Sequence, residues 1–296
     1  MRHFAFWVCV LSGLAVFQAV PSKAGETQAP LTEERIMLPA QFKGADGSPV
    51  TLNLDALVIR PDDGQKHPLV VINHGTPTSG PRWKVEVEDM RRQTEAFASR
   101  GWVAVTYTRR GYGRSEGEYS EGAGECDNSN YVLGGQRSRT DIREVIRLMS
   151  EKPYVDSTKI ISVGQSAGGF ATVALTADPP PGLVAAINFA GGRGSRGNYT
   201  TVCSEDALIS AMATFGQTAR VPTLWVYSEN DTLFPPPLAQ RMFAAYTGSG
   251  GNAEFIQAPS YKKNGHLFFK EASPSDWGPY VDDFLRKHGL TAPVGP

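Results

Sequence analysis

The strongest chemical signal in the 296-residue chain is a serine set between two glycines, Gly164-Gln165-Ser166-Ala167-Gly168. An apolar, β-branched run at 160–163 leads into it, and Ala171, Val173, Ala174 and Leu175 follow at helical spacing. That order, strand then G-x-S-x-G then helix, places the serine on a sharp turn with its hydroxyl exposed. The new helix directs its free N–H groups at the same hydroxyl, where negative charge would develop during nucleophilic attack. A serine of this kind needs a base, because its free hydroxyl is a weak nucleophile at neutral pH.

Five histidines are available. His3 lies in the apolar N-terminal segment, His67 precedes a strand, and His288 ends the last helix, where a cation suits the helix dipole. His74 and His266 each follow a strand at its carboxyl end. His266 sits in Lys262-Lys-Asn-Gly-His266, a loop long enough to carry an imidazole back over Ser166, and is the expected base. The base requires an acid to fix its tautomer. Asp231, at the end of the strand 222–228 and its turn, is preferred, with Glu229 two residues earlier as the competitor and Asp276 as a candidate helix cap. Donors for an oxyanion are expected at the backbone N–H of Ala167 and of Thr76 in Asn73-His74-Gly75-Thr76-Pro77; Pro77 has no N–H to give. His74 is then expected to brace that loop.

The elements that must hold these residues alternate between strand and helix. Strands are expected at 34–42 and 51–60 (an antiparallel opening pair around Gly44-Ala-Asp-Gly47), then 68–74, 102–108, 160–163, 183–190, 222–228 and 253–258. Helices are expected at 87–100, 138–152, 205–215, 235–246 and 275–288, besides the one after Ser166. In the second of these Ile142, Val145, Ile146 and Met149 share one face. Irregular stretches run over 109–135 and from Gly191. Parallel strands with helical crossovers imply a doubly wound, mostly parallel α/β sheet with helices on both faces, whose working residues gather at the carboxyl ends of strands. Pocket walls are expected from a small loop and helix cap over 112–135 and 191–215.

Residues 1–24 read as an export signal. Arg2 and His3 precede an apolar run over 4–20, and Ser22-Lys23-Ala24 suits a small-x-small cleavage site. The apolar run is short for a membrane span, so no stable span is expected after cleavage. The rest, 25–296, is expected to be one domain in the periplasm or outside the cell. Formal net charge is −1, with no basic stripe, so nucleic acid is not an expected partner. In an exported chain the remaining cysteines, Cys126 and Cys203, are expected to pair. Closing so long a loop is worth up to roughly 4–5 kcal/mol on the chain-entropy model, and the cross-link is expected to shape the pocket entrance. No metal-ligand cluster or phosphate loop appears, so no cofactor is expected. Asn198-Tyr-Thr200 is a glycosylation sequon in form.

His74-Gly75, Arg110-Gly-Tyr-Gly-Arg-Ser115, the Ser166 motif, Asp231 and Gly265-His266 together resemble the α/β-hydrolases, most closely their dienelactone-hydrolase-like branch. That branch is similar in turn to the catalytic domains of prolyl-oligopeptidase-type peptidases. The order Ser166, Asp231, His266 is the nucleophile–acid–base order of that fold. The resemblance implies a serine hydrolase with a small-molecule carboxylic ester as substrate. A peptidase acting on short peptides, or a binding protein on a hydrolase scaffold, are the alternatives. One departure is Thr108, where the family's fourth-strand turn usually carries an acid; Arg109 beside it is expected to be solvated.

Overall fold

The computed structural model describes residue 1 and residues 29–77, 80–195 and 201–291. The expected leader beyond Met1 and the sequon at Asn198 lie outside the described residues. Among the described residues no helix is long and apolar enough to cross a membrane.

The chain opens on β1 (Leu31–Lys43) and β2 (Pro49–Pro61), antiparallel in unbroken register from Leu31 opposite Pro61 to Lys43 opposite Pro49. The turn between them is closed by the Gly44 N–H donating to the Ser48 carbonyl. Then come β3 (His67–Asn73), β4 (Val103–Tyr107), β5 (Val155–Gln165), β6 (Leu183–Phe189), β7 (Thr223–Ser228) and β8 (Ala253–Ala258). They form one eight-stranded sheet in the order β1-β2-β4-β3-β5-β6-β7-β8. β2 meets β4 antiparallel, and every neighbour pair from β4 to β8 is parallel.

A parallel strand covered on both sides must be apolar on both sides, and β3 shows it. Val70 and Ile72 pack on one face with Phe97, Trp277, Val281 and Phe284, from α1 (Arg91–Ala98) and α7 (Pro274–Lys287). Leu69 and Val71 pack on the other with Ile142, Val145, Ile146 and Met149 of α2 (Tyr131–Ser150) and Ala171 and Leu175 of α3 (Ala167–Thr176). The helical face expected from sequence is therefore the buried one. α4 (Glu205–Gly216) and α5 (Pro236–Gly248) complete that layer, while the one-turn α6 (Phe268–Glu271) precedes α7.

Two helix starts differ from the sequence reading by four residues or more, and β5 begins at Val155, ahead of the run read at 160–163. α2 begins at Tyr131, within the stretch expected to be irregular, because the Asn130 side chain caps it by accepting from the Leu133 N–H at 2.9 Å. Gly134 and Gly135 then lie inside the helix. A Cβ at Gly135 would stand 2.5 Å from the Phe215 ring, so close helix packing, not a turn, asks for that glycine. At α1 the first turn, Val87–Met90, is a 3-10 turn closed by a capping box between Glu86 and Asp89, and the α-helix starts only at Arg91.

Candidate active site

Ser166 links β5 to α3 in a left-handed backbone conformation, φ 56° and ψ −122°, that a residue with a side chain rarely adopts. Close packing holds it there. A Cβ at Gly164 would lie 2.2 Å from the Gly168 carbonyl oxygen, and one at Gly168 would lie 2.1 Å from that of Asn73. The two glycines let strand, turn and helix pass within backbone contact of one another and of the end of β3. Asn73, fully buried, ties the same junction. Its Nδ2 donates to the Val163 carbonyl, Ser162 Oγ and Thr172 Oγ1, and its Oδ1 accepts from Tyr107.

Asp231 and His266 meet at the carboxyl ends of β7 and β8. His266 Nδ1 donates to Asp231 Oδ2 at 3.1 Å, and both side chains are buried. The other carboxylate oxygen, Oδ1, accepts from the N–H groups of Leu233 and Phe234 at 2.8 and 2.9 Å, which fixes its plane. With Nδ1 carrying the proton, Nε2 is left as the basic nitrogen. Nε2 is buried with no hydrogen-bond partner, and none joins it to the Ser166 hydroxyl. In hydrolases without substrate this contact is often long and closes only when substrate binds. Glu229 is exposed and takes a hydrogen bond from Ser260, so it does not compete for the histidine. Asp276 caps α7 in a capping box with Ser273.

Two residues without an assigned role in the sequence reading hold the histidine loop. Gln165 donates from Nε2 to the His266 carbonyl at 2.9 Å, so the neighbour of the serine grips the histidine backbone. Asn264 Oδ1 accepts from the N–H groups of His266 and Thr232 at 3.0 and 3.2 Å. A polar residue in the middle of a buried strand–turn–helix motif, and an Asn two positions before the histidine, were the available signals.

Ala167 is the first residue of α3, so its N–H has no partner inside the helix. Thr76 lies in the loop after β3, its hydroxyl hydrogen-bonded to the Tyr112 phenol at 2.9 Å. His74 braces that loop as expected: Nδ1 donates to the Gly75 carbonyl at 2.7 Å and Nε2 accepts from the Arg109 N–H at 3.2 Å. The other two histidines among the described residues stay away from the site. His67 bridges Asp63 and the Gly101 carbonyl, and His288 at the end of α7 meets Glu254.

Burial, and then the positive charge of Arg109, holds the His74 imidazole well below its usual value of 6.5; Lys270 and Arg193 act in the same direction. His74 is therefore neutral in the folded protein, while the unfolded chain takes up a proton as pH falls through about 6.5. Its contribution is fully present above that pH and is lost progressively below it. Conformational stability should fall between pH 6.5 and 5, by up to about 1.4 kcal/mol per pH unit, and His74→Gln should flatten that slope. Urea midpoints measured across this range check it; a flat wild-type profile would contradict it.

Arg109 is not solvated, in contrast to the expectation from sequence. It is buried, with Nε donating to Glu121 Oε1 at 2.8 Å and Nη1 to the His74 carbonyl at 2.5 Å. Arg193, from the loop after β6, reaches the second oxygen of the same carboxylate. The position where an acid was expected, Thr108, bonds to Ser115 through its hydroxyl at 2.7 Å, and Asp141 of α2 supplies the carboxylate for Arg110. Cys126 and Cys203 form the expected disulfide, Cα atoms 4.8 Å apart, joining the loop before α2 to the loop before α4.

A cavity of about 230 Å³ opens beside Gly75, Gln165 and His266. Its walls come from Thr76, Pro81, Val85, Met90 and Leu267, with Lys84, Asp89 and Lys270 also lining it. Among the described residues its walls come from the segments around 76–90 and 265–270. The short 3-10 turns at Arg82–Lys84 and Val87–Met90 carry the chain across this edge of the sheet. Among the described residues no cluster of His, Cys, Asp or Glu could hold a metal ion.

The sequence model of the X-Pro dipeptidyl-peptidase (S15 family) matches residues 46–221, more than half of the chain. The chain belongs to the S15 family. Its structure is similar to that of a Klebsiella pneumoniae protein described as a dienelactone hydrolase: 16% identity, 88% of this chain and 99% of that one covered, TM-score 0.60. A Pyrococcus furiosus esterase is equally similar, at 16% identity, 89% and 98% coverage and TM-score 0.60. Dipeptidyl peptidase 4 of Porphyromonas gingivalis matches over 88% of this chain but only 36% of its own, at 18% identity and TM-score 0.57. No curated protein matches the chain in sequence. This S15-family protein thus has the α/β-hydrolase fold, dienelactone-hydrolase-like in architecture as its motifs anticipated.

Proposed function

We propose that this protein is an exported serine hydrolase of carboxylic esters, with Ser166 as nucleophile, His266 as base and Asp231 as its orienting acid. The observation that carries the reading is the Asp231–His266 hydrogen bond, which leaves Nε2 basic at the edge of the sheet where Ser166 emerges. In the reaction the Ser166 hydroxyl adds to the ester carbonyl as its proton passes to His266 Nε2. The N–H groups of Ala167 and Thr76 receive the negative oxygen. His266 then protonates the departing alkoxide, and water activated at the same nitrogen releases the acid from Ser166. The cavity beside His266 is small for a ligand site, about 230 Å³ against roughly 300–1,000 Å³, and favours short acyl groups. The loops joined by the disulfide and the apolar leader support export; residues 1–24 are proposed to be removed and 25–296 to act as one domain.

The second reading, a peptidase on short peptides, is favoured by the family description itself. p-Nitrophenyl acetate, butyrate and octanoate assayed beside aminoacyl and X-Pro p-nitroanilides separate the two. Turnover of the acetate and butyrate above the octanoate, with anilides untouched, is expected. Cleavage of the anilides alone would reverse the order of the readings, and no turnover of any substrate would leave a binding protein.

A further inference from the structure

We propose that Arg109 is a positioning residue for the oxyanion loop, and that it is held in place by a charge cluster anchored through the Cys126–Cys203 disulfide. The proposal rests on the reading of Ser166 as a nucleophile served by the Thr76 N–H.

Arg109 lies two residues past β4 and contacts the loop after β3 twice. Its backbone N–H donates to His74 Nε2 and its Nη1 donates to the His74 carbonyl. The imidazole it receives is locked in turn, because Nδ1 donates to the Gly75 carbonyl. Two residues after His74 comes Thr76, whose hydroxyl bonds to Tyr112. Tyr112 packs edge-on against the His74 ring, centroids 4.8 Å apart, and lies under the Arg109 guanidinium at 5.0 Å. One arginine therefore fixes both the carbonyl and the side chain of the residue that sets the path of the loop.

The guanidinium is oriented by Glu121, a buried carboxylate shared with Arg193 and also accepting from Ser138 of α2 at 3.2 Å. A buried ion of this kind depends on its partner, since removing one member leaves the other uncompensated. Glu121 and Arg193 come from the two loops that the disulfide joins. Around that bond Tyr131 donates to the Cys203 carbonyl, Ser204 to the Cys126 carbonyl, and the Cys203 N–H to the Gly194 carbonyl next to Arg193. The chain of contacts runs from the disulfide to Glu121 and Arg193, then to Arg109, to His74 and to the loop carrying Thr76. A shift of about 1 Å in a preset donor can cost roughly 100-fold in rate, which gives the cluster a reason to be rigid.

The test uses the mature protein with p-nitrophenyl acetate, rates being expressed per site titrated by a fluorophosphonate probe. Arg109→Met should lower kcat roughly 100-fold with KM within about threefold, and should weaken a boronic acid inhibitor by a similar factor. Glu121→Gln, which keeps the shape and removes the charge, should lower kcat by about tenfold, and the double variant should be no slower than Arg109→Met, as for residues acting through one contact. Reduction of the disulfide should lower kcat in the wild type but not further in Arg109→Met. Wild-type kcat per titrated site in Arg109→Met, or a fall in melting temperature with boronic acid affinity unchanged, would overturn the proposal. If Arg109→Met does not fold, the reduction arm on wild type and Glu121→Gln decides alone: equal loss in both separates the disulfide from Glu121. A wild type that hydrolyses no ester would instead refute the reading of Ser166.

Discussion

Ser166→Ala and His266→Ala are each expected to lower kcat on a hydrolysed ester by roughly 10⁴-fold or more, and the double variant to lose little beyond that. The reason is geometric. Ser166 is the only hydroxyl held on the left-handed turn between β5 and α3 among the described residues, and His266 is the histidine whose second nitrogen is bound by a carboxylate at the same sheet edge. Without the base the hydroxyl keeps its proton; without the hydroxyl the base has nothing to activate. Each single loss therefore removes nearly the whole contribution of the pair. Asp231→Asn should cost somewhat less: the N–H groups of Leu233 and Phe234 would still hold the amide in place, while its NH2 would face Nδ1 and shift the imidazole proton to Nε2. Purified variants assayed on one good ester, with residual rates checked against traces of wild type, give the numbers. Ser166→Ala turning over every ester at the wild-type rate would remove the nucleophile assignment altogether.

The fold was legible because its central strands, such as β3, β4 and β7, are buried on both faces and so read as continuous apolar runs, and because α2 keeps a clean helical face. The three proposed reacting side chains could be placed for a related reason: each lies in a segment that follows a strand whose end could be read, Ser166 directly after β5, Asp231 in the turn after β7 and His266 in the loop after β8. What could not be read is what depends on contacts between distant loops. Arg109 looks like any loop arginine until the loops after β4 and β6 bring Glu121 and Arg193 beside it. The first turn of α2 was hidden because Gly134 and Gly135 signal a loop locally, while Gly135 serves to admit Phe215 of α4. The cavity beside His266 could not be read because the segment around 80–90 that lines it has no periodicity of its own, and its course is set by the 3-10 turns and by the sheet edge it crosses.

Gly168→Ala is expected to be the most damaging single-methyl change near the site. The added carbon would stand 2.1 Å from the Asn73 carbonyl oxygen and 2.6 Å from that of His74, and those atoms are backbone at the end of β3, with no rotamer to change. Ordinary contact needs more than 3 Å, so α3 must move away from β3 by about 1 Å. Overpacking of this kind typically costs about 1–3 kcal/mol and more where backbone must shift. The same movement carries Ser166 and the Ala167 N–H away from the loop that holds Thr76, and a displacement of that size is worth roughly 100-fold in rate. Activity should thus fall further than stability alone explains, with the folded fraction still slow. Gly248→Ala, at the end of α5 with open space around the new carbon, serves as the comparison and should leave both melting temperature and kcat close to wild type. Equal melting temperature and equal kcat in Gly168→Ala and wild type would show that the turn tolerates a side chain, and that contact between α3 and β3 does not set the position of Ser166.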